Sequence, residues 1–95
     1  MIIGVMSANL AMPGIGSLKE KRSIVKGVIG RLQSRFNVSI SEVDHQDSRQ
    51  VAVLGLAVVS NDRRFVDEQL DAVLNFMRND GRFFVSHVDR ETFGF

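Results

Sequence analysis

Lys19, Arg22 and Lys26 are spaced three and four residues apart, so on a helix they share one face. Lys21, Arg31 and Arg35 widen the same basic segment, and Glu20 is its only acid. A cationic stripe of this kind suits the phosphates of RNA, which bind point charges and arginine forks without regard to base sequence. The competing reading is a solvated outer helix face. Arg63 and Arg64 extend the anion-binding reading, because they open a second helix, where the macrodipole disfavours cations.

Glu42, Asp44, His45 and Asp47 form an acidic cluster that invites an acid–base or metal reading, although one imidazole among carboxylates makes a thin ligand set. We therefore assign no metal. His87, in the middle of the last strand, reads as a half-buried structural histidine. Gly14-Ile15-Gly16-Ser17 opens a helix N-terminus, a natural place for an anion, but carries no P-loop or dinucleotide fingerprint. No cofactor and no catalytic residue is assigned, and the chain reads as non-enzymatic.

These residues need elements to position them. Residues 2–12 alternate, with Ile2, Gly4, Met6, Ala8, Leu10 and Met12 on the face we place inward. Ser17 with Glu20 makes a capping box, and Leu18, Val25, Val28, Ile29, Leu32 and Phe36 follow at helical spacing, predicting a helix over 18–35. Gly27 and Gly30 lie beside that stripe, which suggests close approach to a sheet. Residues 37–46 read as a second strand in which a bulge near Ser41-Glu42 turns Val43 inward. Residues 51–60 are apolar on both faces, as in a central strand. Asn61 or Asp62 caps a second helix with the stripe Phe65, Val66, Leu70, Val73, Leu74 and Met77, and Asp80-Gly81 ends it. Residues 82–90 form a fourth strand, and the tail Thr92 to Phe95 has no assignment.

The order βαββαβ, with right-handed crossovers, predicts an α+β ferredoxin-like fold. Its four-stranded antiparallel sheet has order 4-1-3-2 with two helices on one face. The 95 residues read as one such domain, 1–95. The sheet face away from the helices then displays Ile3, Val5, Val51, Val53, Gly55, Ala57 and Val59, an uncharged patch suited to self-association. Phe93 and Phe95 folding over that patch is the alternative. Neither central strand carries an aromatic residue, so base stacking on the sheet is not expected.

With no cysteine, disulfides and thiolate metal sites are excluded. The net charge of +1 argues for no particular partner. The apolar start has no basic flank and breaks at Pro13-Gly14, so we expect a cytoplasmic protein with no membrane partner.

Three strings, SLKEKRSIVK at 17–26, FNVSISEVDHQD at 36–47 and VVSNDRR at 58–64, together resemble the YlxP-like family of small bacterial proteins of unknown function. The likeness extends to about residue 90. It implies a ferredoxin-like fold and a loose translational context, since relatives are often encoded beside translation-initiation and ribosome-maturation genes. It brings no catalytic residue. Relatives often carry an aromatic shortly after the residue matching Asp47, where this chain has Ser48-Arg49. The expected function is thus an accessory factor that binds RNA or the small ribosomal subunit through its first helix. The alternative is a small-molecule or protein-interaction module that forms a homo-oligomer through its sheet face, and a third reading is an acylphosphatase-like hydrolase.

Overall fold

The computed structural model describes residues 1–95. Its elements are β1 (Ile2–Ala11), α1 (Leu18–Arg35), β2 (Ser39–Asp44), β3 (Val51–Ser60), α2 (Arg63–Arg78) and β4 (Phe84–Gly94). The sheet order is β2-β3-β1-β4, every neighbouring pair is antiparallel, and this is the expected order read from the other edge. Alternation along β1 buries Met6, Ala8 and Leu10, and Met12 just beyond it, as its apolar spacing requires. Val25, Val28 and Leu32 of α1 and Val66, Leu70, Val73 and Met77 of α2 join them in one core, so both helices lie on the same face of the sheet.

Ser17 caps α1 by accepting the Glu20 N–H, and Asp62 caps α2 by accepting from Arg64 and Phe65. Gly4 lies beneath α2: a Cβ there would collide with Val66 Cγ1 and fall 3.0 Å from Leu70 Cδ1. The close helix–sheet contact therefore belongs to Gly4. Gly27 instead lies near the guanidinium groups of Arg31 and Arg82, and Gly30 faces open space.

Four further expectations are corrected. The bulge falls one residue later, between Glu42 and Asp44, so Glu42 stays on the inner face opposite Leu54. Val43 turns outward over Gly55, whose missing side chain leaves room for it, and is 54% exposed. Phe65 is exposed because it sits to one side of the buried stripe of α2. The tail does not fold over the outer face. It continues β4, pairing Phe93 with Ile3 and Gly94 with Ile2, and Phe95 exchanges backbone hydrogen bonds with Met1.

No helix is long and apolar enough to cross a membrane.

Candidate cationic groove

The basic residues of α1 divide into three groups. Lys21 is not part of the surface: its side chain is wholly buried, and its ammonium donates to Glu42 Oε2 at 2.5 Å and to the His45 carbonyl at 2.9 Å. A longer contact of 3.4 Å reaches the Gln46 carbonyl. The reason is helical phase. Counting back from Leu32, Val28 and Val25 in steps of three and four lands on position 21, so the lysine occupies the core stripe. A buried ammonium needs a counter-charge and full hydrogen bonding, and inward-facing Glu42 with the hairpin carbonyls supplies both. Lys21 is thereby withdrawn from the set of anion-binding candidates.

Arg31 and Arg35 are engaged elsewhere. Arg31 pairs at 2.7 Å with Asp80, which Arg82 also grips at 2.7 and 2.9 Å, tying α1 to the loop before β4. The Arg35 guanidinium stands 5.0 Å from the centroid of the Phe76 ring, a cation–π contact between the helices.

Lys19, Arg22 and Lys26 remain. All three are exposed and none has an ion-pair partner. They line a groove of about 660 Å³ together with Ser23 on their own helix and Glu42 and Gln46 from the β2–β3 hairpin. Glu42 is the only carboxylate of that lining, and its charge is already balanced by Lys21. The groove is therefore cationic, with hydroxyl and amide groups at its margin.

Arg63 and Arg64 are not brought to this groove. They start α2 at the end of the sheet where Ile2 pairs with Ser60, whereas α1 starts beyond the opposite end, where Ala11 pairs with Val51. Arg63 donates to the Thr92 carbonyl at 2.9 Å, and Arg64 pairs with Glu68 one turn on.

The acidic cluster disperses. Glu42 is paired inward, Asp44 accepts the His45 N–H at 2.8 Å, and His45 adopts a left-handed backbone with φ of 58°. No group of three or more potential metal ligands converges anywhere in the chain. His87 is exposed, 61% by side chain, because it lies on the open outer face, where it meets Asp89 at 3.0 Å. The Ser17 hydroxyl is occupied as a cap, and Arg49 Nη1 reaches the Gly16 carbonyl at 3.4 Å, a contact across the chain that spacing did not reveal.

The outer-face residues lie as expected on one side of β1 and β3: Ile3 opposite Val59, Val5 opposite Ala57, Asn9 opposite Val53 and Ala11 opposite Val51. Val53 is already buried at 8% exposure, while Val59 is 57% exposed.

A family model described as "Protein of unknown function (DUF503)" matches residues 3–90, which include all three strings quoted above. The uncharacterised protein YlxP of Bacillus subtilis (strain 168) is 41% identical over 76 residues, covering 80% of this chain and 83% of that protein. A de novo designed protein, Foldit4, superposes over 100% of this chain and 99% of its own with a TM-score of 0.56. At 12% identity that is a likeness of fold alone.

Proposed function

The chain belongs to the DUF503 family of proteins of unknown function, and from that premise we propose that it is a non-enzymatic binding protein that holds the phosphate backbone of RNA, on the small ribosomal subunit, in the groove between α1 and the β2–β3 hairpin. One observation carries this reading: Lys19, Arg22 and Lys26 stand exposed and unpaired in one groove whose single carboxylate is neutralised from beneath by Lys21. Buried pairing of Glu42 does for the groove what a missing acid would do. It leaves three net positive charges where an unpaired glutamate would cancel one of them.

Phosphates fit this arrangement better than a flat, base-reading mode. Lys19 and Lys26 offer rotatable ammonium groups, Arg22 offers a planar fork, and Ser23 and Gln46 add neutral hydrogen-bonding groups. Three phosphate contacts to single-stranded RNA give a slope of log affinity against log salt of about −2, so binding weakens about 20-fold between 50 and 200 mM salt.

The test is binding of labelled single-stranded RNA and of isolated 30S subunits by wild type and by Lys19→Glu/Arg22→Glu/Lys26→Glu. These side chains are exposed, so the triple variant keeps the fold, as circular dichroism will verify. Salt-sensitive binding by wild type that the triple variant loses is the expected result. Binding that survives the triple reversal, or no binding by wild type at low salt, overturns the reading.

A further inference from the structure

The sheet face opposite the helices is uncovered, and its charge pattern complements itself. Val59 and Val43 project from it, at 57% and 54% exposure. Between them the surface sinks on either side of Gly55, into a hollow of about 410 Å³ toward β4 and one of about 260 Å³ toward β2. Charge is confined to the margins, because β1 and β3 carry none on this side.

The ladder registers place these margins in rows. Ser39 shares a row with Ala57, Val5 and Glu91, and Ser41 shares the next with Gly55, Ser7 and Asp89. Asp44 shares the third with Val53, Asn9 and His87.

We propose that this face binds a second copy of the chain, sheet against sheet, about a two-fold axis running parallel to β1 and β3. Such an axis exchanges the two margins while preserving the rows. Asp44 of one protomer then faces His87 of its mate, Ser41 faces Asp89 and Ser39 faces Glu91. Two acids meet hydroxyl donors, and the third meets an imidazole. At the centre Val59 stands over Ile3, Ala57 over Val5 and Gly55 over Ser7. An axis across the strands would instead set the β4 acids against their own counterparts, and like charges so placed are strongly unfavourable. The usual crossing of ~30° between packed sheets displaces the margins by roughly one residue, half the spacing of same-face rows, so Ser41 still reaches Asp89 but shares it with a neighbouring row.

The area is sufficient. The four strands, of 10, 6, 10 and 11 residues, at ~3.3 Å per residue and ~4.8 Å apart make a face of roughly 600 Å². Two such faces bury roughly 1,200 Å², the lower bound for a specific, stable interface. The cationic groove lies on the helical side, so each protomer of the dimer keeps its groove open, and this proposal stands or falls separately from RNA binding.

Sedimentation equilibrium over a concentration series provides the test, with Val59→Glu, Ser41→Asp and Ser41→Lys as variants and circular dichroism as the check on folding. Both positions face solvent in the single chain, so the variants fold. We expect twice the monomer mass for wild type, a monomer for Val59→Glu, and dissociation about tenfold easier for Ser41→Asp, which confronts Asp89, than for Ser41→Lys, which pairs with it. A monomeric wild type, a Val59→Glu dimer, or Ser41→Asp and Ser41→Lys dimers of equal strength each overturn the proposal.

Discussion

Replacing Lys21 by Met keeps a long unbranched side chain in the core stripe and removes only the ammonium group. The Glu42 carboxylate, 16% exposed, then loses its cation, and the His45 and Gln46 carbonyls lose a donor. Breaking a fully buried ion pair costs about 3–5 kcal/mol. Here water reaches the exposed hairpin and part of Glu42, so the expected loss for Lys21→Met is about 2–3 kcal/mol. Glu42→Gln is the harsher change, at about 3–4 kcal/mol, because the ammonium it strands has no exposed surface at all. The double variant Lys21→Met/Glu42→Leu places an apolar side chain opposite Leu54 and returns to within ~1 kcal/mol of wild type. Urea unfolding followed by circular dichroism measures all three, with unchanged m-values expected. In thermal unfolding Lys21→Met should lower Tm by about 10–20 °C. The groove supplies a second readout. Lys21→Met restores an uncompensated negative charge beside Arg22 and Lys26, so RNA affinity falls, and the double variant recovers it. A Lys21→Met protein within ~0.5 kcal/mol of wild type would falsify the assignment of this pair as a structural lock.

Two further perturbations probe the frame around the groove. Gly4→Ala drives a methyl group into Val66 and Leu70 and should cost about 1–3 kcal/mol in urea unfolding, whereas Gly55→Ala meets only the exposed Val43 side chain, 2.9 Å away but able to rotate, and should cost under ~1 kcal/mol; equal effects would contradict the placement of α2 on Gly4. Asp80→Ala releases both Arg31 and Arg82 from a carboxylate that is 4% exposed and should cost about 1–2 kcal/mol, the lower figure reflecting the two half-exposed guanidinium groups, with a neutral result contradicting the tie between α1 and the loop.

The resemblance carried by three strings led to the family whose model matches residues 3–90, and the order of apolar registers led to the sheet order that the fold shows. Residues 18–35 were legible as a helix because the cap at Ser17 and the spacing of Val25, Val28 and Leu32 are local properties. The inward face of β1 was equally legible, since alternation needs no knowledge of the partner strands. For the groove, Lys19, Arg22 and Lys26 were legible as one face for the same reason. Lys21 was not separated from them. Its spacing to Val25 held the signal, but an ammonium in a core stripe is accepted only when a counter-charge awaits it.

Within the single sequence, then, period and punctuation determined the elements, their order and the apolar character of both sheet faces. Only the tertiary structure decided where the bulge in β2 falls, that Glu42 therefore points at Lys21, and that Val43 covers Gly55. It also decided which cations are spent on Asp80, Phe76 and Thr92 and which stay free. The division has a physical cause. Hydrophobic period is written into neighbours three or four residues apart, whereas the cost of a buried charge depends on a partner 21 residues away in sequence and 2.5 Å away in space.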